Sequence, residues 1–227
     1  MNEKVTIIFF LLFSTVGFSQ QRISFSDGSF QNGQNYNNLF LNIDDELDSK
    51  TVGSRYINEN FLPAKLNNSK DTFFLRYDAF NEVFEVKKGE NKYSLNKKIS
   101  DLTISFQNGQ VYKPYNYEGS LKYFSLLNDE NSKIKLLKKE SIIFIEEKES
   151  KTGYDEYRPP QYKRKKDSFF YINESLNEPI EIPNNKKKFA ELFHDNQKDI
   201  LDYIKKEKIK LNDENDLIKL FSHMNSI

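Results

Sequence analysis

The sequence predicts an α+β protein: mainly an antiparallel β meander, forming a curved sheet, a sandwich or an open barrel, followed by two or three short C-terminal helices. Three observations carry this. Short apolar or alternating runs recur between residues 36 and 183 with turn residues between them, the spacing of strands joined by hairpins. Beyond Pro183 the apolar period lengthens from that of strands to that of helices. Phe and Tyr, at 20 and 13 residues, supply the large rings of a core in a chain of 227 residues of which 30% are charged.

Residues 1–19 read as a secretory signal peptide. Lys4 precedes the almost wholly apolar run Val5 to Val16, too short to span a bilayer, and Gly17 and Ser19 stand at −3 and −1 of a cleavage site after Ser19. The mature chain is then expected to start at Gln20, in the periplasm or outside the cell. With no Cys to accept lipid it is not a lipoprotein, and no later run is long and apolar enough for a transmembrane segment.

Residues 20–35, polar and turned at Asp27-Gly28 and Asn32-Gly33, read as a flexible N-terminal arm. Leu39 to Ile43 is the first strand candidate, followed by an acidic loop, Asp44, Asp45, Glu46 and Asp48. Val52 to Leu66, with Gly53 and Pro63, predicts an extended crossing of edge character, because proline cannot donate to a ladder.

Phe73 to Tyr77 and Glu82 to Val86 form a hairpin across Asp78 to Asn81, and Lys92 to Leu95 adds a third strand. Leu102 to Phe106 and Val111-Tyr112 bracket Asn108-Gly109, the dipeptide favoured where a type I′ turn needs positive φ twice. Leu121 to Leu127 and Ile134 to Leu137 form a further pair, and Ile142 to Ile145 is a short apolar strand. Lys151 to Lys166 interrupts the pattern with Gly153, Pro159 and Pro160, and Phe169 to Ile172 with Ile180 to Ile182 closes the β-rich body at residue 183.

Residues 184–227 form the helical segment. Asn184 or Asn185 caps a helix over Lys186 to Phe193, and a second runs from about Asp195 to Lys206. Asn212 is the expected cap of a third, in which Leu217, Leu220, Phe221 and Met224 recur at helical spacing.

Composition excludes several functions. Lys and Arg total 34 against 34 Asp and Glu, so there is no surplus of cation of the kind that grips nucleic acid, and none is expected as a partner. Disulfide scaffolds, thiol catalysis and cysteine-bound zinc are impossible without Cys. No catalytic, cofactor or metal motif is present: neither Gly-x-Ser-x-Gly, His-Glu-x-x-His, Gly-x-Gly-x-x-Gly nor a Walker sequence occurs, and His194 and His223 lack a partner at motif spacing.

Four features remain. Arg158, Lys163, Arg164, Lys165 and Lys166 lie among Tyr154, Tyr157 and Tyr162, basic residues interleaved with aromatics as in surfaces that grip anionic polymers. The Asp44–Asp48 cluster lacks the ordered spacing of a calcium loop and reads as a solvated turn. Aromatic residues at strand spacing, Phe84, Phe106 and Tyr112 among them, read as core, with an apolar ligand in a barrel as the other use of such rings. The C-terminal helices mix Lys with Asp and Glu on their polar faces, which fits packing on the sheet better than lying on a membrane.

The segment Gly17-Phe18-Ser19-Gln20, the run Gly53 to Phe61, the run Leu75 to Asn81 and the Lys-rich tail from Lys186 together resemble a family of uncharacterised secreted proteins of Bacteroidota-type Gram-negative bacteria. The resemblance implies export and a β-rich body with a helical tail, and no activity or catalytic residues. The expectation is therefore an exported, non-catalytic binding or accessory protein of the envelope or exterior, its partner an envelope protein or an anionic polymer. A carboxylate-dependent exported hydrolase and a barrel-like carrier of a small apolar ligand are the alternatives.

Overall fold

A computed structural model describes residues 40–42, 51–67, 69–150 and 156–227. The signal peptide, the N-terminal arm, the acidic turn Asp44–Asp48 and Tyr154 lie outside them. The strands are β1 (Phe40–Asn42), β2 (Leu62–Leu66), β3 (Phe73–Asp78), β4 (Val83–Lys88), β5 (Asn91–Leu95), β6 (Ile104–Phe106), β7 (Val111–Tyr117), β8 (Ser120–Leu126), β9 (Ile134–Lys139), β10 (Ile142–Ile145), β11 (Gln161–Arg164), β12 (Ser168–Asn173) and β13 (Ile180–Glu181). Helices α1 (Lys186–Glu191), α2 (Gln197–Lys206) and α3 (Glu214–Met224) follow. The order β1-β5-β4-β3-β2-β6-β7-β8-β9-β12-β13 makes one antiparallel sheet of 11 strands, and β10 and β11 make a separate ribbon. The fold is the predicted one, with an open sheet. No helix among the described residues is long and apolar enough to cross a membrane.

The sheet is rolled. Four strands separate β4 from β8, which in a flat sheet sets them about 24 Å apart. Yet the rings of Phe84 on β4 and Tyr123 on β8 lie 4.9 Å apart, and Glu82, just before β4, reaches Lys122 on β8 and Lys139 on β9 at 2.5 Å each. Right-handed twist accumulated over many strands drives such curling. The concave interior is filled by Tyr77, Phe84, Phe106, Tyr112 and Tyr123, stacked or edge to face as aromatic quadrupoles prefer.

β2 corrects the expectation of an edge. It lies between β3 and β6, in the middle of the sheet, despite Pro63. The proline is tolerated because its carbonyl, and with it the side of the missing N–H, faces the place where β6 has already ended: Gln107 N–H donates to Pro63 C=O beyond the last paired residue. The turns are also redistributed. At Asn108-Gly109 only the glycine has positive φ, Gly109 N–H donates to Phe106 C=O and Phe106 N–H to Gln110 C=O, which is a type I turn with a bulge, not type I′. The type I′ geometry sits instead between β7 and β8, at Glu118 (φ 51°) and Gly119 (φ 75°).

β8 and β9 share only two paired positions, and there the sheet splays. The end of the β7–β8 hairpin bends over one face of β9 and β12, where Phe124 meets Phe170 at 5.1 Å and Tyr117 meets it at 5.2 Å. The helices cover the other face, burying Phe189, Ile200, Ile204, Leu217, Leu220 and Phe221 against Leu136 and Tyr171. Residues 184–227 therefore share their core with the end of the β-rich body. Asn185 caps α1 as expected, accepting from the N–H groups of Lys187 and Lys188. The cap of α3 is Asp213, one residue later than expected, with Asp216 N–H as its donor.

Candidate functional site

The segment expected to be a loop, Lys151 to Lys166, instead contributes β11, which pairs with β10 from Ile142↔Arg164 to Ile145↔Gln161. Apolar β10 is the strand that the sequence shows, and β11 is recruited by it despite its charge. On its other side β11 is held by Val52, whose N–H donates to Pro160 C=O and whose carbonyl accepts from Tyr162 N–H. Gly53 is required beside it: its φ is +84°, and a Cβ there would stand 2.6 Å from the Tyr162 carbonyl oxygen.

Alternation along the ribbon sorts the candidate residues. Tyr162 and Arg164 share the face of buried Ile142, turned to the body, whereas Lys163 lies on the opposite face with exposed Ile143. Tyr162 packs against Phe80 and Phe144 at 5.2 Å each. These two rings remain 40% and 37% exposed, so the three form an aromatic cluster open to solvent. Arg164 is tied to the body through one end of its guanidinium, although its side chain is 47% exposed. Its guanidinium donates to buried Glu140 at 2.8 Å and to Asp167 at 3.2 Å, and Glu140 also accepts from the Tyr112 hydroxyl. Burial works against the Arg164 charge, but the hydrogen bond and charge of Asp167 and the charge of Glu140 outweigh it and hold its pKa above the ordinary value.

Arg158, Lys163, Lys165 and Lys166 are exposed, and among the described residues none of the four forms an ion pair. Tyr157 is exposed at 55%. The structure thus keeps four of the five cations and one of the two described tyrosines as free surface, and uses Arg164 and Tyr162 to fasten the ribbon. Phe80 and Tyr112, which complete the arrangement, were not legible as site residues because they come from a turn and a strand far away in sequence, and Glu140, two residues before β10, carries no local sign that it is buried.

Two other regions bear on the alternatives. On the outer face of β3 and β4, Glu85 is buried under the crossing segment and accepts from Arg55 and Tyr56 at 3.0 Å and from Arg76 at 2.7 Å, while Arg55 also reaches buried Asp78 at 3.1 Å. Every oxygen of Glu85 is committed to a cation or hydroxyl. Glu85 and Asp78 are thus spent on holding residues 54–61 against the sheet, with Arg76 stacked 3.6 Å from the Tyr56 ring. Beside them a groove of about 490 Å³ is lined by Glu59, Asn60, Phe61, Phe74, Lys87 and Gly89. In the helices, His223 Nε2 lies 2.9 Å from Asp199 and the ring stacks on Tyr203 at 3.9 Å, a contact between α2 and α3. Among the described residues no group of His, Asp and Glu side chains is arranged to hold a metal ion.

Comparison with protein-family models, with curated proteins and with solved structures finds no match to this chain.

Proposed function

We propose that this chain is an exported, non-catalytic binding or accessory protein of a bacterial envelope or exterior, and that it engages an anionic polymer through the β10–β11 ribbon. One observation carries the reading. Arg158, Lys163, Lys165 and Lys166 stand exposed and unpaired on or beside a ribbon that also exposes Phe144, Ile143 and Tyr157, a combination of free cation and uncovered apolar surface that marks interaction sites. The filled interior of the roll supports a binding surface over a carrier's cavity, and the commitment of Glu85 and Asp78 to ion pairs supports binding over carboxylate catalysis. Export rests on the leader ending at Ser19, and the resemblance to secreted Bacteroidota-type proteins agrees with it.

The test is retention of the mature chain on an immobilised sulfated polysaccharide across a salt gradient. Replacing Arg158, Lys163, Lys165 and Lys166 together by Ser is expected to move elution to much lower salt, since each lost contact lowers the salt dependence. Unchanged retention contradicts the proposal. Arg164 is left in place, because its loss would unfasten the ribbon.

A further inference from the structure

The free edge of β10 points beyond a polymer-binding ribbon. β10 pairs with β11 along one side, and no strand among the described residues pairs with the other. Lys165 N–H donates to Ser141 C=O, so 141 with 165, and by alternation Ile143 with Lys163, are the hydrogen-bonded pairs. The backbone N–H and C=O groups of Ile142 and Phe144 therefore face away from β11, toward the open edge. Such an edge is a template for another strand, and natural edges are usually guarded by proline, lysine or a bulge. The run Ile142-Ile143-Phe144-Ile145 has none of these guards, and Ile143 and Phe144 are 39% and 37% exposed on it.

The charges along the ribbon say which strand fits. The end near the body carries Lys165 and Lys166, and at the far end Glu146, Glu147, Glu149 and Glu156 outnumber Lys148 and Arg158, all exposed, while Lys163 stands opposite Ile143 in the middle. A second copy laid antiparallel reverses that order. The basic end of each then lies beside the acidic end of the other, twice over, about a two-fold axis. A copy laid parallel would set like charge beside like.

We infer that β10 pairs edge to edge with β10 of a second copy of this chain, antiparallel, with Ile143 of each copy meeting on the two-fold axis. The register follows from the outward groups. Setting Ile142 of one copy opposite Phe144 of the other is the register in which both outward-facing residues of each strand bond within Ile142–Ile145, and it leaves Ile143 facing its equivalent in a non-hydrogen-bonded pair, with Cα atoms about 4.5 Å apart. Such a dimer sets Lys165 and Lys166 beside the acidic end of the partner copy, where the polymer would also bind, so the Ile143→Cys cross-link, which needs none of these cations, tells the failure of this inference from the failure of the polymer-binding reading.

The chain has no cysteine, which makes an introduced thiol an unambiguous reporter. In the mature chain Ile143→Cys is expected to form a disulfide-linked dimer under mild oxidation, because about 4.5 Å between Cα atoms suits a disulfide. Leu192→Cys, equally exposed at 39% on the helical side, is the control that stays monomeric. In sedimentation velocity, Lys165→Glu with Lys166→Glu, and separately Glu146→Lys with Glu147→Lys, should each weaken self-association by about tenfold or more, and mixing the two variants should restore a dimer. A wild-type chain that stays monomeric up to its solubility limit, an Ile143→Cys variant that cross-links no faster than the Leu192→Cys control, or a mixture that recovers no dimer overturns the inference. A monomer that still binds the polysaccharide does so while leaving the other reading intact.

Discussion

Glu82 and Asp78 stand at two ends of one turn, and their carboxylates respond to burial in opposite ways. For Glu82, burial pushes the pKa up, but hydrogen bonds and charge from Lys122 and Lys139 outweigh it and leave the group below its ordinary 4.5. For Asp78, burial prevails over the hydrogen bonds of Asn81 and the charge of Arg55, and the pKa rises from 3.8. The sign of each effect on stability follows. A carboxylate depressed in the native state contributes stability that is complete above its unfolded value and is lost as pH falls through the native one, so Glu82 favours the fold at neutral pH and ceases to do so in acid below about 4.5. Asp78 works against that loss, since protonation relieves the cost of burying its charge. Glu82→Gln is expected to lower stability at neutral pH and to flatten the acid limb of a plot of urea midpoint against pH. An acid limb as steep as the wild type's contradicts the role given to the two lysines.

Among the elements, the turns show most plainly how neighbours override local preference. Glu118 occupies a position of positive φ at 51°, where a non-glycine residue other than Asn is strained. Glu118→Asn, giving the Asn-Gly pair that a type I′ turn favours, should therefore stabilise the protein by about 0.5–1 kcal/mol, read as a rise in the denaturant midpoint at constant slope. The pair Asn108-Gly109, which looked made for that turn, takes a bulged form instead. A bulge increases local twist, and this one stands next to Phe106, whose ring packs into the roll against Phe84 at 6.1 Å. Strand existence was legible at almost every apolar run, from Phe73–Tyr77 to Phe169–Ile172. What was not legible was pairing and position: Gln161–Arg164 looks like a charged loop and becomes a strand because Ile142–Ile145 and Val52 offer it ladders on both sides.

At the scale of the molecule, the rolled half and the helix-covered half have separate cores, and a third cluster of Phe124, Leu137, Phe170 and Ile172 lies where β8 and β9 part. Phe221 is fully buried among Phe189, Leu217 and Ile204 in the second of these. Phe221→Ala is expected to cost about 3–5 kcal/mol. Native-state hydrogen exchange should show the loss concentrated in α1–α3, β9 and β12, while β3 and β4 keep their protection; equal loss across both halves would mean one cooperative core.

The sequence by itself determined the antiparallel meander, the change from strand to helix after Pro183, the aromatic core and the basic segment, because these depend on period, turn chemistry and side-chain type, all of which are local. Only the tertiary structure decided that β2 is central, that the sheet rolls until Phe84 touches Tyr123, and that Arg164 is a fastener while Lys163 is free. Those outcomes depend on which distant strand supplies a ladder and which buried carboxylate lies within hydrogen-bonding reach, and chain order does not encode either.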